Sequence, residues 1–153
     1  MSYALAIEPL ESVLDELFPI ARRQYLEDAE KKAAIGIDMP PFKPRFDQYV
    51  TANKSGFFIF YVVRFNGAMV AYAGMYLTHD MHNSELIGRE ATIYVVPEHR
   101  GRVGKALFKA VVADVKERGA KMIYITPTGD PRLEKLWSRL GFKTIGAMMV
   151  HTA

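Results

Sequence analysis

Apolar and polar positions along this chain switch period several times, and each switch predicts an element. "YALAI" (3–7) reads as a short strand. Leu10, Val13, Leu14, Leu17, Ile20, Tyr25 and Leu26 then recur at helical spacing. Pro19 falls among them and predicts a break or kink that gives two helices, because proline lacks the N–H and crowds the preceding turn. "GIDMPPFKP" (36–44) is a loop by its glycine and prolines, and "RFDQYVTAN" (45–53) a short helix ending before Gly56. A near-continuous apolar run, "FFIFYVVRF" (57–65), reads as a buried strand. Asn66-Gly67 is a hairpin signal, and "AMVAYAGMYL" (68–77) returns as the antiparallel partner. After the polar loop "THDMHNSE" (78–85), "EATIYVV" (90–96) is a further strand, closed by Pro97.

The second half alternates helix and strand. Leu107, Val111 and Val115 form an apolar stripe with Lys105, Lys109 and Lys116 outside it, and Gly119 stops that helix. "KMIYITP" (121–127) reads as a strand parallel to 90–96, since a helix crosses between them. Asp130 and Pro131 form an N-cap and first-turn proline for a helix carrying Leu133, Leu136, Trp137 and Leu140, which Gly141 ends. "FKTIGAMMVH" (142–151) reads as a last strand. The order is that of a mixed α/β chain, with no repeat or linker inside residues 1–153, so one domain is expected.

Composition narrows the class. The 153 residues are 50% hydrophobic and 24% charged, as in a globular protein rather than a disordered one. No apolar run is long enough to span a membrane. The start lacks the basic flank and cleavage site of a signal peptide, so a cytoplasmic protein is expected; the absence of cysteine fits a reducing compartment without identifying it. Lacking cysteine, the chain has no disulfide framework, thiolate metal site or cysteine nucleophile. The net charge of +3 is a mild excess that suits an anionic cofactor as well as RNA, but the cations are spread out rather than striped, which speaks against a nucleic-acid-binding protein.

The chemistry concentrates at "PEHRGRVGKALF" (97–108), where a strand gives way to a helix. A helix N-terminus offers unpaired N–H groups and the positive end of the dipole, and so attracts phosphate. Gly101 and Gly104 let backbone approach an anion, while Arg100, Arg102 and Lys105 add positive charge. Val103 and Ala106 complete the turn, which reads as a diphosphate cradle. It is not a Walker loop, since alanine follows Gly104-Lys105, and G-x-G-x-x-G is absent.

Residues 90–142 resemble the GNAT acetyltransferase superfamily, whose members carry acyl groups from acyl-coenzyme A, usually to an amine. The resemblance rests on Val95-Val96-Pro97-Glu98-His99-Arg100-Gly101, the glycine turn, and Leu136-Trp137-Ser138-Arg139-Leu140-Gly141-Phe142. The glycine turn is one residue shorter than the family's R-G-x-G-x-G; Gly104 and Ala106 fill its last two key positions. The helical start, the histidine-bearing loop and P-E-H-R-G are similar to acetyltransferase-like proteins of bacteriophages, which would place the chain in a host cytoplasm.

The resemblance implies a mostly antiparallel sheet splayed between strands 90–96 and 121–127, with acetyl-CoA as co-substrate in the splay and no metal. It implies that Val95 or Val96 supplies the backbone N–H for the oxyanion and that both line the pantetheine arm. Trp137 stands where the family often has a tyrosine that protonates the departing thiolate, and indole cannot do so. Ser138 or Tyr124 is the substitute acid, unless water serves or activity is lost. Trp137 itself belongs to an apolar stripe and is expected to pack, against the cofactor arm as well. Asp130 falls near the expected pantetheine, although its capping role explains it alone.

Glu90, at the head of its strand, is the expected base, with His79 and His82 behind it; a solvated strand-end carboxylate is the plainer reading. His79 and His82 read as a pH-sensitive substrate loop rather than a metal site, as no third ligand is in sight. Met39 and Phe42 are candidates for an acceptor pocket. The expected partner is an amine on a protein, an aminoglycoside-like molecule or a polyamine. A homodimer through the last strand is open, as is the alternative of an inactive module that binds CoA or a host protein.

Overall fold

In the computed structural model, which describes residues 2–127 and 131–153, the hairpin predicted at Asn66-Gly67 organises the sheet. Strands β2 (Phe58–Phe65) and β3 (Ala68–His79) meet there in a turn where both residues have positive φ, 51° and 85°. That conformation matches the right-handed twist of the strands it joins. Strand β1 (Tyr3–Ile7) pairs antiparallel with β2, and β4 (Leu86–Val95) antiparallel with β3. The chain then crosses through helix α3 (Arg102–Glu117) and returns as β5 (Met122–Tyr124), parallel to β4. The result is a five-stranded, mostly antiparallel open sheet in the order β1 to β5.

Helices cover both faces. On one, α3 places Val115 against Gly88 and bonds Tyr61 through Asp114. Helix α4 (Pro131–Arg139) joins it by stacking Trp137 on Phe108. On the other face lie α1 (Leu14–Ala33) and α2 (Phe46–Lys54), over Phe58, Phe60 and Tyr72. Period-2 alternation in β2 and β3 sends Phe58 and Phe60 one way and Tyr61 the other.

Gly74 lies directly beneath the Phe58 ring on the α1–α2 side. A Cβ there would lie 2.3 Å from the tip of the Phe58 ring. Phe58 is buried and hemmed in by Tyr49, Phe60 and Tyr76. Gly74→Ala is therefore expected to cost about 1–3 kcal/mol by overpacking, read as a lowered Tm. An unchanged Tm would mean that the ring has room to move.

Four expectations need correction. Helix α1 is continuous through Pro19. The N–H that proline lacks would have met the Asp15 carbonyl, and both residues are exposed, so water can take that bond. Burial of Leu17, and of Leu10 and Val13 in the 3₁₀ turn before it, holds the helix in place. Strand β4 begins at Leu86, so Glu90 lies in mid-strand rather than at its head. Strand β5 has three residues rather than seven, and pairs with 87–89 rather than 90–96. Residues 142–151 form no strand: Ile145, Met148 and Met149 are exposed by 84%, 76% and 93%. Apolar character makes a strand only where an edge supplies hydrogen bonds and a face to bury, and β5 offers a short one.

Candidate active site

The sheet splits where β4 and β5 part. Their register runs Ile87–Met122, Gly88–Ile123, Arg89–Tyr124 and stops. At that point β4 carries a bulge, for Met75 pairs with Glu90 and Gly74 with Thr92, leaving Ala91 extra. Beyond the bulge the Val96 N–H bonds the Val70 carbonyl at 2.9 Å. Alternation along an antiparallel ladder then turns the N–H groups of Thr92 and Tyr94 toward β3, and those of Ile93 and Val95 toward the gap. Of the two valines expected to face the oxyanion, Val96 is thus committed to β3 and Val95 is not. Ile93 is the position that the motif did not flag.

The gap leads to the N-terminus of α3. Gly101 precedes the helix at φ 117°, a conformation that side-chain-bearing residues rarely adopt, and no side chain caps the first turn. That turn has no acidic residue, while Arg102 and Lys105 are exposed and in no ion pair among the described residues. Val103 is buried in the core, so only its backbone is available. Gly104 sits beside Val95, where a Cβ would lie 3.8 Å from the valine methyl; Ala106 is exposed one turn into the helix. Arg100 points elsewhere. Its guanidinium donates to the Val95 carbonyl (3.0 Å) and to Glu27 (2.7 Å) and lies over the Tyr94 ring. A diphosphate would have to compete with those partners. Desolvation alone would raise the Glu27 pKa, but the hydrogen bonds from Arg100 and Tyr94 outweigh it and hold the carboxyl below its ordinary value. Burial, with Glu27 beside it, pushes the Tyr94 hydroxyl up to about 12.

Glu90 stands at the closed end of the gap. It shares the α3 face with Met75, its partner across the ladder. Its carboxylate accepts the Thr126 N–H at 2.7 Å, reaching across to the chain that leaves β5. Burial raises its pKa above the ordinary glutamate value, against the lowering effect of that hydrogen bond. A carboxylate held this way can take up a proton more readily than a solvated one. Tyr124 is the last paired residue of β5; its ring lies under the Arg89 guanidinium at 4.3 Å and its hydroxyl is 3.7 Å from the Met122 sulfur. Trp137 is 3% exposed, stacked 4.3 Å from Phe108 and edge-on to Phe142. Ser138 is exposed on α4. Asp130 lies outside the described residues.

On the opposite face, next to the bulge, a cavity of about 530 Å³ opens between α1, the 42–45 segment, α2 and the sheet. Ala91 and Thr92 form its β4 wall, and Phe42 is part of its lining. Met39 is not among the lining residues. The polar part of the α1 contribution, Gln24, Tyr25 and Asp28, was not flagged by any motif, although Gln24, Glu27 and Asp28 share one helix face by their i, i+3, i+4 spacing. The two histidines are elsewhere. His79 pairs with Leu86, four residues from Glu90 and so about 13 Å along the ladder. Its ring bonds the Ser84 carbonyl, while His82 is exposed in the turn that Asp80 braces. Neither lines the cavity. No group of three His, Cys, Asp or Glu side chains able to hold a metal occurs among the described residues.

The sheet thus splits beside a bulge, with an uncapped basic helix start at one end of the gap and a cavity on one face. The family model for the acetyltransferase (GNAT) family matches residues 14–142, and the chain belongs to that family. Among solved structures, an aminoglycoside acetyltransferase from an uncultured soil metagenomic sample superposes with a TM-score of 0.75 at 19% identity, covering 100% of this chain and 99% of that one. A ribosomal-protein-alanine N-acetyltransferase from Brucella melitensis biovar Abortus 2308 gives 0.70 at 18% identity, with 99% and 100% covered. A predicted acetyltransferase from Clostridium acetobutylicum, solved with acetyl-CoA, gives 0.72 at 12% identity, with 99% and 96% covered. At these identities the likeness is one of fold. No curated protein matches the sequence.

Proposed function

We propose that residues 1–153 act as one acetyltransferase domain that moves an acetyl group from acetyl-CoA to an amine. One observation carries this reading: β4 and β5 part after Arg89 and Tyr124, and the gap leads to the uncapped, basic first turn of α3. The residues suit the co-substrate. Free N–H groups at the start of α3, with Arg102 and Lys105 beside them, match a diphosphate. The gap-facing backbone of Ile93 and Val95 matches an extended amide-bearing arm. Acetyl-CoA, when bound, supplies the acyl group as a thioester.

The chain's own groups then have distinct tasks. Backbone N–H at Ile93 or Val95 polarises the acyl carbonyl. Glu90 accepts a proton from the amine through the gap. The cavity at Ala91 and Thr92 holds the acceptor close to the split, which supplies proximity. Tyr124, the last residue of β5 paired with β4, stands where the gap begins and is the preferred candidate to return a proton to the thiolate, ahead of Ser138. None of the described helices is long and apolar enough to cross a membrane, and we place the protein in the cytoplasm. The phage affinity rests on the sequence motifs alone.

A second reading, a CoA-binding module without turnover, is favoured by one observation: Trp137 fills the position of the family's acid and is packed in the core. Calorimetry separates the two. Acetyl-CoA is expected to bind with a Kd near micromolar, about −8 kcal/mol. Arg102→Ala with Gly104→Glu should abolish binding, because it removes a cation and sets a carboxylate in the first turn; the Gly104 site has room for the new Cβ. Absence of binding by the wild type at millimolar ligand overturns both readings. Binding without thioester consumption across an amine panel selects the second.

A further inference from the structure

The cavity between α1, α2 and the sheet limits what the acceptor can be, an inference that rests on the acetyltransferase reading above. Its volume of about 530 Å³ lies in the range of sites that enclose a whole small molecule. Rings dominate its wall: Tyr25, Phe42, Phe46, Tyr49, Phe58 and Tyr72. They brace one another, with Phe42 between Phe18 at 5.4 Å and Tyr25 at 5.5 Å, and Tyr49 edge-on to Phe58 at 5.4 Å.

Polar groups on the wall are largely spent on the protein itself. Gln24 bonds Thr92 at 2.8 Å and accepts the Tyr72 hydroxyl. The Tyr25 hydroxyl donates to the Pro40 carbonyl at 2.5 Å. Asp28, the one carboxylate among the described lining residues, is paired with Lys32. Two cations share that lining: Arg45, paired with Asp47 at 3.1 Å, and Lys43, which is exposed. A polycation needs unpaired carboxylates to replace the water around each ammonium. Here it would meet rings, a guanidinium already paired and one exposed ammonium. A molecule with one ammonium and a flat apolar body buries that body against the rings and leaves its nitrogen at Ala91 and Thr92, beside the split in the sheet.

We propose that the acceptor is a primary monoamine with an aromatic or similarly flat apolar body, an arylalkylamine in chemical class, and that polyamines and aminoglycosides are excluded. In the reaction the N–C bond forms and the thioester C–S bond breaks. The ammonium gives up two protons: one goes to the departing thiolate, the other through the base to solvent.

The test offers acetyl-CoA with 2-phenylethylamine, spermidine or kanamycin to the wild type and to Phe42→Ala, and follows free thiol and acetylated amine. Calorimetry of each amine, and of acetyl-CoA, runs beside it. The expected kcat/KM for 2-phenylethylamine exceeds that of the two polycations by about tenfold or more. Phe42→Ala should raise its KM about tenfold and leave acetyl-CoA binding unchanged. Equal or better turnover of spermidine or kanamycin overturns the proposal and leaves the acetyltransferase reading intact, as does a KM unmoved by Phe42→Ala. If nothing is turned over, binding decides. Uptake of 2-phenylethylamine that Phe42→Ala weakens supports the cavity's ligand class while the transfer reading fails, and no uptake overturns the proposal.

Discussion

Glu90→Gln is expected to lower acetyl transfer by about 10²–10⁴-fold, the usual worth of a positioned general base, while acetyl-CoA still binds. Glutamine keeps an oxygen to accept the Thr126 N–H, so the variant should fold as the wild type does. Its stability carries an independent signature. Because burial raises the Glu90 pKa above its ordinary value, the folded chain holds that proton more tightly than the unfolded one. Wild-type stability therefore falls as pH rises from the unfolded value through the raised folded one. Glutamine has no such proton. The variant should match the wild type near pH 4, where both states of the wild type are largely protonated, and exceed it in Tm at neutral pH. Full activity in Glu90→Gln would remove the residue from the mechanism. A Tm difference independent of pH would show that the carboxylate is not held in a desolvated site.

Trp137→Ala should have the largest effect on stability. The indole is 3% exposed, lies parallel to Phe108 at 4.3 Å and meets Phe142 edge-on at 5.0 Å. Truncation leaves a cavity between α3 and α4 that these rings cannot close. A loss of about 3–5 kcal/mol follows, a drop in Tm of roughly 10 °C for a chain of this size. Trp137→Phe should recover much of it, since stacking on Phe108 survives. A Tm within about 2 °C of wild type for the alanine variant would mean that the indole does not pack between the helices.

The motif around residues 95–106 was legible because its chemistry is local. A proline that ends a strand, a glycine that must take positive φ and a helix start without acid all lie within a dozen neighbouring positions. The hairpin at Asn66-Gly67 was legible for the same reason. Arg100 was not: it looks like a phosphate ligand until Glu27, far away in sequence, is brought to within 2.7 Å. The place of the histidine loop was not legible either, since a hairpin carries His79 and His82 away from the cavity as surely as it carries Met75 toward Glu90. Gln24 and Asp28 look like the solvated face of a charged helix, and only packing of α1 on the sheet turns that face inward.

The identity of most strands and helices, the hairpin, the basic helix start and the family itself were thus determined by the sequence alone, because each depends on residues close together along the chain or on a single period. The end of pairing at Arg89 and Tyr124, the raised pKa of Glu90, the ring-lined cavity and the fate of residues 142–151 were decided only by the tertiary structure. Each of these depends on which edge, face or ring arrives from elsewhere. Desolvation and hydrogen-bond partnership are properties of that meeting, not of either partner by itself.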